Sequence, residues 1–99
     1  DVGDCNLSAI SKLREKYKTP ISFGSHCTNS NILYMSLCYA PSDILFYVKL
    51  NEVFPHPDDK HAICLKDVGG ITENLKALSK AIGCGTKQEI GNKITEIRI

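Results

Sequence analysis

Asn31-Ile-Leu-Tyr-Met-Ser-Leu-Cys-Tyr-Ala-Pro-Ser-Asp-Ile-Leu-Phe-Tyr-Val-Lys-Leu50 is the stretch whose reading decides the fold. Its second half alternates, with Ile44, Phe46, Val48 and Leu50 on one face, the period of a half-buried strand over Asp43–Leu50. Its first half, Asn31–Tyr39, carries Ile, Leu and Tyr at short intervals and reads as a second strand. Pro41 and Ser42 stand between them, residue types that favour a tight turn, so the centre of the chain is expected to be an antiparallel hairpin.

Outward from the hairpin, Ile21–Cys27 reads as a short strand on the N-terminal side. On the C-terminal side the polar loop Asn51–Lys60, with Pro55 and Pro57, leads to a short strand at His61–Lys66. Residues 6–17 place Ile10, Leu13 and Tyr17 at steps of three and four, with Lys12, Arg14, Glu15 and Lys16 mostly opposite, which is an amphipathic helix. Asp4 or Asn6 is a candidate N-cap, and Pro20 ends the helix. Gly69-Gly70 interrupts the pattern, Thr72 is placed to cap a second helix bearing Leu75, Leu78, Ala81 and Ile82, and Gly83 stops it. Gly91-Asn92 then precedes a terminal strand over Lys93–Ile99, with Ile97 and Ile99 on one face.

These elements predict a single α+β domain over residues 1–99: a two-layer α/β sandwich with an antiparallel sheet of about four to five strands and two helices on one face. The other sheet face would carry Tyr34, Tyr39 and Tyr47, a candidate binding surface.

With 99 residues, 42% of them hydrophobic, the chain holds one core and gains from covalent staples. Cys5, Cys27, Cys38, Cys64 and Cys84 are too widely spaced for neighbouring thiolates to share a zinc ion, so disulfides and an oxidising compartment are expected. Two bridges among five cysteines allow about 15 arrangements. The odd thiol is left unpaired or bridged to another molecule, which would give a dimer. The chain begins at Asp1 without an apolar leader, as expected of a mature secreted, extracellular form. Twelve basic and eleven acidic residues are interspersed and give a net charge of +1, which argues against a nucleic-acid surface and an anionic-membrane anchor. The most apolar run, Ile44–Leu50, already contains Lys49, so no membrane insertion is expected.

Candidate chemistry is sparse. His56, Asp58, Asp59 and His61 form the densest cluster of metal or acid/base groups, but proline-stiffened loop spacing of this kind matches no metal site, and a solvated loop is the expectation. His26 and Cys27 are adjacent, and on an extended strand adjacent side chains diverge, which disfavours a nucleophile–base pair. His26, His61 and Glu52 would be the acid/base groups of a small hydrolase such as a ribonuclease, though nothing in their spacing requires them to meet. Asn6-Leu7-Ser8 matches the N-glycosylation acceptor. Lys76, Lys80 and Lys87 line a weak basic stripe that reads as a solvated face. No catalytic residue, cofactor or metal is assigned.

Ile63-Cys64, Gly69-Gly70, Leu75 and Leu78, Gly83-Cys84-Gly85 and Gly91 before Ile94-Thr95 form a pattern in the C-terminal third. With Gly3 before Cys5, and Gly24-Ser25-His26-Cys27, it resembles the killer-toxin family of smut-fungus viruses and its fungal secreted relatives. Family members usually carry a further cysteine just after the helix-terminal Gly-Cys, where this chain has Gly85. The resemblance implies an α/β sandwich, a secreted toxin or effector without catalysis, and bridges from Cys5 to Cys84 and from Cys27 to Cys64, with Cys38 left over. A bridge closing so long a loop would contribute about 4.5 kcal/mol on the chain-entropy model. The expected function is a non-enzymatic, virulence-related binder of a protein or cell-surface target; the alternatives are the small hydrolase and a secreted inhibitor of a host enzyme or receptor.

Overall fold

In the computed structural model, residues 2–50, 61–83, 85, 89–90 and 93–94 are described. The first helix, α1 (Ala9–Tyr17), forms where the 3.6-residue period placed it. Ser8 takes the N-cap position expected of Asp4 or Asn6. At the other end Lys18 turns left-handed, with φ 53°, and its N–H closes on the Arg14 carbonyl at 2.9 Å. Only the inner part of the stripe is used: Leu7 and Ile10 are buried, whereas Leu13 and Tyr17 remain exposed.

The central hairpin does not form. Strand β1 (Phe23–Gly24) is followed by a helix, α2 (Ser30–Ser36), in place of the strand expected over 31–39. The Asn29 side chain accepts the Asn31 N–H at 3.0 Å and so starts the helix as its N-cap. Ile32, Leu33 and Ser36 are buried while Asn31 and Met35 are exposed, a helical rather than an alternating pattern. Ile and Tyr favour strands only where a pleated face needs them, and here burial of one helical stripe decides the outcome. A 3₁₀ turn at Leu37–Tyr39 ends at Ala40, which is left-handed with φ 52°.

Because a helix intervenes, the chain returns in the same direction. Strand β2 (Ile44–Leu45) pairs with β1 in parallel, Phe23 opposite Ile44 and Gly24 opposite Leu45. Pro41 and Ser42 lie at the end of this βαβ crossover and not in a hairpin turn. The Ser42 N–H donates to the Ile21 carbonyl and the Phe23 N–H to the Asp43 carbonyl, both at 2.8 Å, extending the pairing upstream. Strand β3 (Val48–Lys49) pairs, again in parallel, with β4 (Ile63–Cys64). The described residues thus form a mixed α and β fold built on short parallel ladders, and the antiparallel sheet of about four to five strands is corrected accordingly.

Helix α3 (Leu65–Ile82) starts directly after β4, so the strand expected over 61–66 is only two residues long. The helix passes through Gly69-Gly70, where the sequence pattern predicts a break. Thr72 does not cap it: its Oγ1 donates back to the Val68 and Gly69 carbonyls, at 3.0 Å each, from inside the helix. Two helical glycines cost about 1 kcal/mol each relative to alanine, an expense offset by burying Ile71 and packing Leu75 on the same stripe. Gly83 ends the helix as expected. An antiparallel pair, β5 (Glu89–Ile90) with β6 (Lys93–Ile94), follows. Ile97 and Ile99 of the expected terminal strand, and the turn at Gly91-Asn92, lie outside the described residues.

Among the described residues, Leu7, Ile10, Phe23, Ile32, Leu33 and Ile71 form a core cluster drawn from the α1 region, β1, α2 and α3. Apolar contact joins helices to strands here. Among the described residues there is no disulfide: Cys27 and Cys38 carry no bridge, so the Cys27–Cys64 pairing is not made. Cys64 is instead buried at the end of β4, and Cys27 packs at the edge of the cluster on the chain leaving β1. Cys84, the expected partner of Cys5, lies outside the described residues. Among the described residues no helix is long and apolar enough to cross a membrane.

Candidate functional site

In parallel βα units the carboxyl ends of the strands face a crevice where side chains from successive loops can meet. Here the chain leaving β1 runs Ser25-His26-Cys27. The Ser25 Oγ accepts the Cys27 N–H at 3.0 Å, a local turn that follows β1 directly. The same Oγ lies 3.9 Å from the Cys5 Sγ, tying the N-terminal segment to this loop. His26, in the middle of the turn, is exposed.

Two further side chains reach His26. Tyr47, between β2 and β3, brings its hydroxyl to 3.3 Å from the His26 Nε2, with the rings tilted at 53° and centroids 5.2 Å apart. His61, two residues before β4, stacks on His26 with centroids 4.6 Å apart and an 18° interplanar angle. The His61 Nδ1 donates to the His26 carbonyl at 2.9 Å. A carbonyl oxygen only accepts, so that contact places the proton of the neutral ring on Nδ1 and leaves Nε2 as its lone-pair nitrogen. The backbone reinforces the meeting, since the Ile63 N–H donates to the Tyr47 carbonyl at 2.8 Å. The cluster borders a cleft of about 290 Å³ lined by Asp4, Cys5, Ser25, His26, Cys27 and His61. A second hollow, of about 380 Å³, opens on the Tyr47 side of the same loop. Two imidazoles, a phenol and a serine hydroxyl can together exchange hydrogen bonds with a polar ligand and carry a proton to or from it.

The fold therefore brings together His26 and His61, which sequence spacing left apart, and adds Tyr47. Glu52, His56, Asp58 and Asp59 lie outside the described residues. Among the described residues no three of His, Cys, Asp and Glu are grouped to hold a metal ion. The three tyrosines do not share a sheet face: Tyr34 is on α2, where its hydroxyl accepts from the Asn74 Nδ2 at 3.1 Å, and Tyr39 is half-buried in the 3₁₀ turn. Asn6 is exposed with φ 46°, and Lys76 and Lys80 are exposed on α3, while Lys87 lies outside the described residues. Sequence reading missed Ser25 and the pairing of Tyr47 with His26. The Gly24-Ser25-His26 run after an apolar strand was a usable signal, but only parallel topology gives it meaning.

No family model matches the chain, and no curated protein does. A solved structure does match in fold. It is the N-acetylneuraminic acid (sialic acid) synthetase of Leptospira borgpetersenii serovar Hardjo-bovis in complex with citrate, superposing with a TM-score of 0.80 at 21% identity. The likeness covers 92% of this chain and 32% of the synthetase chain, so this chain spans about a third of that protein's length. At this identity the likeness is one of fold.

Proposed function

We propose that the chain is a parallel βα segment of the sialic acid synthetase type, and that His26, Tyr47 and His61 form one wall of a site for a small polar acid such as a sialic acid. The observation that carries this reading is the convergence of the three side chains, with His26 and Tyr47 just beyond the carboxyl ends of β1 and β2 and 3.3 Å apart, and His61, which precedes β4, stacked on His26. The synthetase likeness supports it by supplying the ligand class: that protein makes N-acetylneuraminic acid and its structure holds citrate.

A complete reaction would need more of the fold than the described residues supply. Their ladders are two residues long, and Leu45, Val48 and Leu65 beside them are exposed, as expected of strands that continue into further parallel neighbours. In this reading His61, with its proton held on Nδ1, is the proton acceptor, and Tyr47 orients His26. The killer-toxin resemblance rests on spaced glycines and cysteines, and none of the distances around His26 adds to it.

The test is titration of the isotopically labelled chain with N-acetylneuraminic acid and, separately, citrate, following backbone amides by NMR. Saturable shifts at Ser25, His26 and Cys27 that vanish in His26→Ala support the proposal. Shifts scattered over the surface, or affinity weaker than about 10 mM with no saturation, would overturn it.

A further inference from the structure

The hollow on the Tyr47 side of the His26 loop, about 380 Å³ in volume, is lined by Gly24, Ser25, His26, Leu45, Phe46 and Tyr47. Its walls follow from the β1–β2 ladder. Phe23 and Ile44 stand opposite each other and pack in the core, as does Phe46. Strand alternation therefore turns the next pair, Gly24 opposite Leu45, to the other face, where Leu45 is 61% exposed. These are the last residues of β1 and β2. Two residues beyond each stand His26 and Tyr47, which meet at 3.3 Å. The hollow thus has an apolar end, made by Gly24 and Leu45, and a polar end, made by His26 and Tyr47. Gly24 holds the apolar end open. A Cβ built there would meet the Leu45 Cβ at 3.8 Å and the Leu45 carbonyl oxygen at 3.9 Å, ordinary contacts, so the fold accommodates a small side chain. Among the described residues the left-handed glycines are Gly83 and Gly85, so what glycine supplies at position 24 is space rather than an unusual backbone.

We infer that this apolar end is an acyl subsite of the His26 site: it takes the methyl of an acetamido group on a ligand whose polar groups lie against His26 and Tyr47. The inference rests on the reading of the His26 cluster as a site for a small polar acid, and narrows that class to N-acetylated acids. The hollow is continuous with the cluster, since Gly24, Ser25 and His26 line both it and the cleft that His61 borders. Leu45 belongs to the hollow alone, which makes it a residue of specificity for the acyl group. A hydroxyl in place of the acetamido group would forgo burial of the methyl, worth roughly three- to tenfold in affinity.

The probes are N-acetylneuraminic acid, deaminoneuraminic acid, which has a hydroxyl in place of the acetamido group, and citrate, each titrated into the isotopically labelled chain. The N-acetyl acid should shift the backbone amides of Gly24 and Leu45 together with those of Ser25–Cys27. Deaminoneuraminic acid should shift Ser25–Cys27 alone and bind roughly three- to tenfold more weakly. Gly24→Ala, which fills the apolar end, and Leu45→Thr, which removes its apolar wall, should each weaken the N-acetyl acid by roughly the same factor and leave the other two ligands unchanged. Circular dichroism checks the fold of each variant. Alanine is the better strand residue of the two at position 24, so a loss there is one of ligand fit, and that variant carries the test should Leu45→Thr unfold. Equal affinity for the two nonulosonic acids, or losses in the variants that are the same for all three ligands, would overturn this inference and leave the His26 site standing. No saturable shift at Ser25–Cys27 with any of the three would overturn both.

Discussion

Replacing Leu33 and Met35 separately tests whether residues 30–36 form a helix packed on the core. On a strand the two side chains share a face, and Ser36 points to the other. On α2, Leu33 is 2% exposed, Met35 57% and Ser36 0%. Leu33→Ala removes buried methyl groups from the cluster with Ile32, Phe23 and Ile71 and should cost about 3 kcal/mol, within the 2–5 kcal/mol of large-to-small core changes. Met35→Ala should cost about 0.5 kcal/mol or less, since most of that side chain is already in water. Ser36→Leu should cost about 1–3 kcal/mol, because the extra methylenes have no space and the Oγ bond to the Leu33 carbonyl, 2.6 Å long, is lost. In urea, with a slope of about 1 kcal/mol per molar for so small a domain, Leu33→Ala should move the midpoint down by about 3 M and Met35→Ala by about 0.5 M. Far-UV circular dichroism against urea, at fixed protein concentration, reads these values. Comparable losses for Leu33→Ala and Met35→Ala, with Ser36→Leu neutral, would refute the helical assignment and restore the strand.

Three other substitutions probe separate contacts. Arg14→Met should lower stability by about 1–2 kcal/mol in the same urea assay, because the guanidinium Nη1 donates to the Tyr39 and Ala40 carbonyls at 2.7 and 3.0 Å and ties α1 to the left-handed end of the 3₁₀ turn; an unchanged midpoint would show that the contact adds nothing. Gly83→Ala should cost about 1–3 kcal/mol although a Cβ there meets no atom within 4 Å, since φ 61° and ψ −161° suit glycine almost alone, and a neutral result would count against that backbone geometry. Tyr47→Phe should leave the fold intact, shift the His26 ring resonances and weaken N-acetylneuraminic acid binding several-fold, the loss of one hydrogen bond, whereas unchanged imidazole signals would show that the 3.3 Å contact does not persist in solution.

Local physics made part of this protein legible from its residues. The period of Ile10, Leu13 and Tyr17 marked α1, the extended residues after Asp43 gave β2 and β3, and Gly83 ended α3 because only glycine enters that region of φ and ψ without strain. Each depends on neighbours within a turn or two. Where the decision involved distant partners, local reading failed. Asn31–Tyr39 suits a strand by residue type, yet Ile32, Leu33 and Ser36 are buried as a helical stripe, and Gly69-Gly70 is carried through α3 by the packing of Ile71 and Leu75. Strand direction followed from that one helix, which turns the expected hairpin into a parallel crossover. The candidate site depends on it most of all. His26 and His61 stand 35 residues apart, and what stacks them is the parallel register joining β1 to β2 and β3 to β4. Residue spacing along a chain does not encode that register, because its energy comes from burying both ladders and their helices together.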